Sequence, residues 1–407
     1  MQVDPYRRVL ALPGVRSLIL VALVARVPFT ASGIALTLHV VLGLHRGYGA
    51  AGLVGAGFTI GAALGSPMLG RLVDRRGLRP MLVLTVTAEA LFWAVAPVLP
   101  YAALLGAAVF AGLLSIPVFG TVRQSLAALV PEDQRKTAYS IDSMSVELSY
   151  MAGPALAVVL VTALSTTVAA WLVGAAIVLA GLGMIALNPP IRAEHEEVGT
   201  GEPHPKRRSW LRPRLAFVLL ATVASTLILG GADVSVVAVL REAGQLGFTS
   251  VVLPLWGAYS MAGGFVYGTL RRSPRPLVLV GLLGLATIPV GLAGDWRLLA
   301  LALIPGGVLC APSLAATADA VSRLVPAAVR GEAMGLHGSA LTVGMALGAP
   351  LAGAVVDAFG PPWAFAVVGL VGAGLATAGL VASRIRPPEV APERAGLVEP
   401  VELGGRR

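Results

Sequence analysis

The stretch G-R-L-V-D-R-R-G-L-R-P occupies residues 70–80 and separates two long apolar runs, at 49–72 and 79–99. Each run has about the 20 apolar residues that a helix needs to cross the roughly 30 Å hydrocarbon core of a bilayer. A carboxylate at the end of such a helix can meet the N-terminus of a neighbouring helix, and arginines can meet lipid phosphate. The stretch therefore predicts a tight, charged turn between two membrane-spanning helices.

The composition of the whole chain is that of a membrane protein. Of 407 residues, 56% are hydrophobic and 13% are charged, whereas a soluble domain has about 25% charged residues. Aromatic residues contribute 6%, so the apolar mass is mainly Ala, Val, Leu and Gly, which lets helices pack closely. Lipid is therefore the expected surrounding, and an ordinary soluble enzyme is excluded.

Apolar segments of spanning length recur along the chain, and their number predicts twelve transmembrane helices. A polar stretch separates the first six from the last six. The predicted spans, numbered 1 to 12 in chain order, are 17–43, 49–72, 79–99, 101–125, 138–163, 166–188, 213–240, 248–271, 276–294, 297–323, 332–357 and 361–384.

The polar stretch defines a domain division. We predict an N-terminal six-helix bundle at 1–188, a cytoplasmic linker at 189–212 and a C-terminal six-helix bundle at 213–386. The linker mixes Glu, Lys, Arg, Pro and Gly and is expected to be loosely ordered. The tail at 387–407 is rich in proline and has no apolar period, so it is predicted to be disordered and cytoplasmic.

An internal repeat relates the two halves. A shift of 195 residues (324 − 129) lays Leu129-Val130-Pro131 on Leu324-Val325-Pro326 without gaps, and the match extends through spans 4 and 5 onto spans 10 and 11. The loop between these spans keeps its length, which a shared apolar composition would not require. Two parallel, structurally similar halves are therefore predicted.

The positive charge is distributed unevenly between the two ends of the spans. Lys and Arg number 30 against 21 Asp and Glu, for a net charge of +9. Most of the cations fall in the breaks on the side of the chain ends, and few fall in the opposite breaks. By the positive-inside rule both termini are predicted to be cytoplasmic. The basic excess thus marks a membrane face, and no nucleic acid partner is expected.

The loop at 70–80 resembles the signature of the major facilitator superfamily, which reads Gly, three residues, Asp, Arg or Lys, any residue, Gly, any residue, Arg or Lys. Its defined positions are occupied by Gly70, Asp74, Arg75, Gly77 and Arg79. The resemblance covers all twelve spans. It implies an all-α integral membrane protein in which two pseudo-symmetric six-helix bundles enclose a midplane cavity.

The same resemblance implies that this loop is a conformational latch between the halves. Asp74 would then meet the N-terminus of span 11 near Gly331. The alternative is that the arginines of the loop only anchor it to anionic lipid. The corresponding loop of the second half, at 268–276, lacks an aspartate, so any latch is asymmetric.

Small residues and prolines recur in spans 5 and 11. They are Ser149, Gly153 and Pro154 in span 5 and Gly344, Gly348 and Pro350 in span 11. Small residues let helix backbones approach, and proline bends a helix. We expect this ladder to pack the two halves tightly together, with gating of the pathway as the alternative.

Ionisable side chains inside the spans are candidates for function, because each costs about 2.5–3.5 kcal/mol on insertion scales. Those that stand out are Arg26 in span 1, Glu89 in span 3, Glu147 in span 5 and Asp233 in span 7. Since the resemblance places span 5 beside span 1, Glu147 and Arg26 are expected neighbours. Asp233 either contacts substrate or is simply solvated, and Glu89 is predicted to be a packing group.

The role of Glu147 has three open interpretations. It could exchange protons with water or substrate, form a permanent ion pair with Arg26 or Arg123, or contact the substrate directly. Asp142, near the cytoplasmic end of span 5, could pair with Arg123 or Arg135. We prefer the permanent ion pair as the structural explanation and keep proton coupling as the functional hypothesis.

No pattern for catalysis or cofactor binding stands out. The single cysteine, Cys310, excludes a disulfide framework and a Cys-based zinc site. The five histidines lack metal-ligand spacing, and a phosphate-binding Gly-x-x-x-x-Gly-Lys loop is missing. We therefore expect neither cofactor nor metal, and no enzymatic activity.

These features together predict a secondary active transporter for proton-coupled efflux of a small organic compound by alternating access. An importer or uniporter in the same fold is the nearest alternative, and a non-transporting membrane sensor or membrane-embedded enzyme is an alternative of another class. The stretches 26–28 and 137–143 are similar to those of poorly characterised actinobacterial members of the family. A monomer in a bacterial cytoplasmic membrane is expected, with the small-molecule substrate, protons and the lipid bilayer as partners.

Overall fold

The computed structural model describes residues 4–193, 205–270 and 274–385. Within these ranges the chain is almost entirely helical and contains no β-strand. Loose ordering was predicted for the whole linker at 189–212, of which residues 194–204 lie outside the described residues. The tail predicted to be disordered at 387–407 also lies outside them.

The first half begins with a short amphipathic helix and continues with the helices of spans 1 to 6. The span 1 helix ends in a π-helical turn, His39–Gly43, and the span 3 helix in a 3-10 turn, Ala96–Val98. The helices are α1 (Asp4–Ala11), α2 (Val15–Leu38), α3 (Tyr48–Arg76), α4 (Leu78–Val95), α5 (Tyr101–Leu113), α6 (Val118–Leu129), α7 (Arg135–Ala163) and α8 (Thr166–Leu187).

The second half begins with one turn of helix in the linker and continues with the helices of spans 7 to 12. The span 9 helix is extended by a 3-10 segment, Ile288–Leu292. The helices are α9 (Arg207–Trp210), α10 (Pro213–Glu242), α11 (Thr249–Thr269), α12 (Pro276–Thr287), α13 (Trp296–Leu324), α14 (Arg330–Phe359) and α15 (Pro361–Ile385).

The described residues form helices at all twelve predicted span positions. Ten of these helical stretches are long and apolar enough to cross a membrane. The remaining two are α11, with 21 residues, and the 17-residue segment Pro276–Leu292. Both pack against α13 of the same half. Because helix length follows bilayer thickness, the predicted ends differ from the observed ones by only a few residues.

Local signals explain several helix ends. Gly77 has a φ of +85°, a conformation that glycine adopts without steric cost, and this allows α4 to begin directly after α3. The side chain of Ser165 accepts a hydrogen bond from the Val168 amide at the start of α8. Asp295 caps α13 in the same way by accepting from the amides of Arg297 and Leu298.

The fourth span is broken, which the sequence prediction of one continuous helix at 101–125 missed. The chain leaves helical geometry between α5 and α6, just before Pro117. The carboxylate of Glu89, which is buried, lies near the Ile116 amide at the break and accepts a hydrogen bond from the Trp93 indole at 2.9 Å. A backbone group freed inside a membrane needs such a partner. The Glu89 side chain, which belongs to α4, thus stabilises the break between α5 and α6.

The two halves meet along a small number of helix pairs. Helix α14 of the second half packs against α3 and α6, and α7 of the first half packs against α11 and α13. The terminal helix α1 also reaches α11. Large apolar side chains such as Leu64, Met68 and Phe110 are more than half exposed on the outside of the bundle. This surface suits lipid, and the interior between the halves is left for a cavity.

Candidate transport cavity

A large cavity of about 2190 Å³ lies between the two halves. Helices α2, α3, α6 and α7 line it from the first half, and α10, α11, α13 and α14 line it from the second. It reaches exposed residues at one end of the bundle, among them Arg241 and Asp357. We call this end the open side, and we call the opposite end, which carries Asp74 and Gly331, the motif side.

The motif side is closed by Asp74 at the start of α14. Asp74 Oδ1 accepts a hydrogen bond from the Gly331 amide at 2.8 Å, and Oδ2 accepts one from the Glu332 amide at 2.7 Å. Gln124 Nε2 donates a third, at 3.3 Å. The first amides of a helix have no partner within the helix and attract negative charge. The Asp74 side chain is therefore well placed to hold α3 against α14.

Glycine is required at this contact because the backbones of α3 and α14 touch. A β-carbon added at Gly70 would lie against the carbonyl oxygen of Gly331. One added at Gly331 would come within 2.6 Å of Asp74 Oδ1. Any larger side chain at either position would therefore separate the two helices.

An arginine from each end of the linker binds a residue at the contact between α3 and α14. Arg192 Nη2 donates to the main-chain oxygen of Asp74 at 2.6 Å, and Arg207 Nε lies 2.6 Å from Glu332 Oε1. Arg71 Nε lies 3.8 Å from the other oxygen of Glu332. We define the latch as Gly70, Asp74, Gly331 and Glu332 together with these three arginines.

Two residues of the signature loop do not take part in the latch. Arg75 and Arg79 are exposed, and the described part of the chain offers neither of them a hydrogen bond or ion pair. Their position suits contact with lipid headgroups, which was the alternative interpretation for the arginines of this loop. Asp74 and Gly70 do not share that position, because both are buried between the halves.

A second set of contacts closes the motif side on the other flank of the cavity. Arg323 of α13 binds both the carboxylate and the carbonyl oxygen of Glu132, each at 2.6 Å. Lys136 donates to the carbonyl oxygen of Leu270, and Thr137 donates to that of Gly268 at 2.8 Å. These bonds join the start of α7 to the second half.

The N-terminal helix α1 strengthens the same flank. Tyr6 donates to the carbonyl oxygen of Phe265 at 2.5 Å, and the two rings stack with centroids 4.9 Å apart. Burial raises the pKa of the Tyr6 phenol to about 12, so it remains a hydrogen-bond donor at neutral pH.

Arg26, Asp142 and Arg123 form a buried triad at the floor of the cavity. Arg26 Nη2 lies 2.6 Å from Asp142 Oδ1, and Arg123 Nε lies 2.9 Å from Asp142 Oδ2. Arg123 also contacts the ring of His337 at 3.4 Å, and His337 is in turn 3.1 Å from the Thr317 hydroxyl. Because His337 belongs to α14, the triad reaches across to the second half.

The structure corrects the predicted partner of Glu147. Glu147 does not pair with Arg26 or Arg123, since both arginines bind Asp142. Of the two partners foreseen for Asp142, Arg123 is present, whereas Arg135 donates to the carbonyl oxygen of Val130 at 3.2 Å. Asp142 lies about 10 Å along α7 from its start and Glu147 about 18 Å, at 1.5 Å per residue. The charges therefore sit at two depths.

Glu147 faces the cavity and contacts a hydroxyl of the other half. Ser260 Oγ of α11 donates to Glu147 Oε1 at 2.8 Å and accepts from the Ala311 amide of α13 at 3.1 Å. Asp233 of α10 lines the same cavity and is exposed to it. No hydrogen bond or ion pair reaches its carboxylate from any residue that the structure describes. The cavity thus presents one carboxylate from each half.

The small-residue ladder packs each half internally, contrary to the prediction that it packs the halves together. A β-carbon at Gly153 would collide with Thr30 of α2, and one at Gly348 would collide with the α10 backbone at Leu227. Gly344 likewise abuts α10, Pro154 lines the cavity, and Pro350 is exposed. Ser149 is buried, and its carbonyl oxygen accepts from Thr30 at 2.7 Å. The contacts between the halves use other glycines, such as Gly70 and Gly331.

Several site residues were not identified from the sequence. Glu332 and Ser260 each make hydrogen bonds between the halves or to the linker, and the linker arginines 192 and 207 reach the latch. An acidic residue in the first turn of a predicted span was a usable signal for Glu332. A serine in an apolar helix carries no comparable signal, because its partner is distant in sequence.

The chain matches a family model described as the Major Facilitator Superfamily, over residues 18–294 and 259–403. In the described ranges, no group of three His, Cys, Asp or Glu side chains could hold a metal ion. No curated protein is significantly similar to the chain in sequence.

Solved transporter structures share the fold at low sequence identity. The human organic anion transporter MFSD10 (TETRAN) superposes with a TM-score of 0.70 at 17% identity, covering 91% of this chain and 99% of its own. A bacterial homologue of the iron transporter ferroportin, in an outward-facing state, superposes with a TM-score of 0.72 at 15% identity. The match covers 92% of this chain and 100% of the homologue. The proton:xylose symporter XylE, bound to 6-bromo-6-deoxy-D-glucose, superposes with a TM-score of 0.68 at 14% identity. The match covers 89% of this chain and 94% of the symporter.

These comparisons agree with the twelve spans, the two bundles and the central cavity. An anion transporter, an iron transporter homologue and a sugar symporter have the same fold, so the fold by itself selects no substrate. The family and the architecture identify a membrane transporter rather than an enzyme. The chain belongs to the major facilitator superfamily.

Proposed function

We propose that the protein is a secondary active transporter that exports a small organic compound in exchange for protons. The observation that carries the proposal is the cavity between the halves, which is closed at the motif side by the latch and reaches the surface at the open side. Rocking of the two halves about this cavity would expose it to each side of the membrane in turn.

The orientation of the protein in a bacterial cytoplasmic membrane follows from its charge. The motif side carries the arginine-rich loops, so the positive-inside rule places it, and both chain ends, in the cytoplasm. The conformation described above is then outward-facing. One of the structures that share the fold, the ferroportin homologue, was also solved in an outward-facing state.

Glu147 is the proposed proton-coupling group. It lies in the cavity with one hydroxyl as its hydrogen-bond partner, and none of the described residues forms an ion pair with it. A carboxylate in such a place can exchange a proton with cavity water, whereas Asp142 is held charged by two arginines. In the outward-facing state Glu147 would take a proton from the outside, and after rocking it would release the proton inside. Compound and proton would thus move in opposite directions.

Everted membrane vesicles test the direction and the coupling together. With the lumen acidified, a panel of neutral, cationic and anionic organic compounds would be added outside and the lumenal pH followed with a fluorescent dye. Export predicts that a transported compound enters the vesicles and dissipates the pH gradient. Glu147→Gln should abolish this response, and Asp133→Asn, at an exposed carboxylate that does not line the cavity, should preserve it.

Two outcomes would overturn the proposal. Proton movement in the same direction as the compound would indicate symport, and dissipation that persists in Glu147→Gln would remove Glu147 from the coupling. Alternating access is tested separately by spin-label distances across the motif side, with labels at Ala186→Cys and Arg275→Cys in a Cys310→Ala background. A single distance that does not change with pH would contradict rocking of the halves.

A further inference from the structure

The charges that line the cavity are mostly negative. Glu147 and Asp233 lie deep in it, and Glu242 and Asp357 lie at the rim. Among the described lining residues, the cations are Arg123 and Arg241. Arg123 is already bound to Asp142 in the triad, and Arg241 is exposed at the rim. The two arginines of the triad exceed its one aspartate by one positive charge, and Glu147 and Asp233 add two negative charges. The formal charges of these described groups therefore sum to −1 (+2 − 3), which favours a cation over an anion in the inner part of the cavity.

Asp233 lacks a counter-charge. The structure gives its carboxylate no hydrogen-bond or ion-pair partner among the described residues, although it lies two-thirds of the way along the membrane-spanning helix α10. Glu147 of the first half lines the same cavity, and two like charges that share a cavity repel each other. Intramembrane carboxylates are costly and normally pair with a cation. A positively charged group between these two would remove the repulsion and would touch one carboxylate from each half.

Aromatic side chains line the same cavity as the two carboxylates. Phe29, Phe119 and Tyr150 form a connected group, with ring centroids 5.8 Å apart for the first pair and 6.4 Å for the second, and all three line the cavity. The guanidinium of Arg26 lies 5.1 Å from the centre of the Phe119 ring, so this ring already takes part in a cation–π contact. Trp256 lines the cavity from the second half.

The size and ligand set of the cavity favour an organic ion over a metal ion. At about 2190 Å³ it exceeds the roughly 300–1,000 Å³ of common small-molecule sites. The described residues provide no group of three His, Cys, Asp or Glu side chains for a metal. The polar groups near the carboxylates are hydroxyls, such as that of Ser260, which bind charged organic groups without enclosing an ion.

We infer that the compound carried by this protein is a lipophilic organic monocation, with its positive centre between Asp233 and Glu147 and its apolar body against the aromatic group of Phe29, Phe119 and Tyr150. The inference rests on the proposed transport function and adds the substrate class. Because the two carboxylates belong to different halves, the bound cation touches both rocking units. Asp233 is the residue that distinguishes a cation from a neutral or anionic compound of the same shape.

A pair of ions with one shape and opposite charge tests the inference directly. Tetraphenylphosphonium and tetraphenylborate would be titrated against the full-length protein in detergent, with tryptophan fluorescence as the readout. We expect the phosphonium to bind at least about tenfold more tightly than the borate. Asp233→Asn should weaken phosphonium binding by about tenfold or more, because it removes one partner of a desolvated charge pair. Asp133→Asn, at an exposed carboxylate that does not line the cavity, should leave the affinity unchanged.

Asp233→Glu separates a loss of charge from a loss of folding. It keeps the negative charge and should retain most of the phosphonium affinity, and all variants should elute as the wild type does in gel filtration. Equal binding of the two ions, tighter binding of the borate, or an Asp233→Asn variant with wild-type affinity would overturn the inference.

The two proposals fail in different ways. Selective phosphonium binding without proton-driven movement would retain the substrate class and overturn the coupled export. Proton-driven export of neutral or anionic compounds by a protein that does not bind the phosphonium would overturn the substrate class alone. Export of the phosphonium that is lost in Asp233→Asn and kept in Asp133→Asn would support both.

Discussion

The carboxylate of Asp74 lies 2.8 Å from the amide nitrogen of Gly331, although the two residues are 257 positions apart in the chain. This contact ties the end of α3 to the first turn of α14 and closes the motif side of the cavity. Asp74 belongs to the loop motif whose Arg75 and Arg79 are exposed, but its own side chain is buried between the halves.

Asp74→Asn should weaken the closed motif side. The amide side chain keeps one acceptor oxygen but loses the negative charge at the helix N-terminus and offers only one oxygen to two amides. We expect a loss of about 1–2 kcal/mol, the range for helix capping, and hence a larger population with the motif side open. Spin labels at Ala186→Cys and Arg275→Cys should report longer distances. Asp357→Asn, at the open side, is the matched control and should leave the distances unchanged.

Gly70→Ala should open the same side by steric contact. Its added methyl group would lie against the Gly331 carbonyl, and overpacking of this kind costs about 1–3 kcal/mol. Gly52→Ala is the control, because it lies on the same helix and its added methyl group meets open space. The spin-label distances should lengthen for the first variant only. Equal behaviour of the two variants would show that the close approach at Gly70 is unimportant.

The linker contacts should contribute less than the Asp74 contact. Arg207 is 56% exposed and Glu332 is buried, and exposed partners in ion pairs contribute about 0–1 kcal/mol. Arg207→Gln should therefore shift the spin-label distances slightly, and Glu332→Gln should shift them more because it loses both Arg71 and Arg207. Arg208→Gln, at the neighbouring exposed position, should have no effect. A shift for Arg207→Gln as large as for Asp74→Asn would make the linker the main closing element.

The triad should respond unequally to loss of its members. Asp142→Asn leaves two buried guanidinium groups without a carboxylate, and removal of one partner from a buried ion pair costs about 3–5 kcal/mol. Arg26→Gln leaves the Asp142–Arg123 pair intact and electrically neutral, so its cost should be smaller. Thermal unfolding of the purified variants in detergent would measure the order. Equal melting temperatures for the two would show that Asp142 does not balance both arginines.

The sequence predicted the positions of the spans well and the partners of the buried charges poorly. Glu147 and Arg26 were expected to be neighbours because their helices are adjacent. The helices are indeed adjacent, but Arg26 lies at the level of Asp142 and Glu147 lies higher along α7 and turns toward α11. A difference of five residues along one helix changes both the depth and the direction of a side chain. The adjacency of two helices therefore does not determine which of their charged side chains pair.

The small residues of spans 5 and 11 likewise indicated a close helix contact without indicating the partner helix. Gly153 and Gly348 correspond in the repeat and each allows a close helix approach, as their residue type indicates. Which helix approaches could not be inferred, and in both halves it is a helix of the same half. The break in the fourth span was also missed, because its stability depends on the Glu89 carboxylate reaching Ile116 from another helix.

The sequence by itself determined the membrane environment, the twelve spans, the repeat of the halves and the family to which the chain belongs. These properties depend on local hydropathy, on segment length against bilayer thickness and on a short motif, all of which are read along the chain. Only the tertiary structure decided that Asp142 joins two arginines, that Glu147 and Asp233 face one cavity, and that the linker arginines reach the latch. Those relationships depend on the rotation and relative height of packed helices, which are set by contacts between residues far apart in sequence.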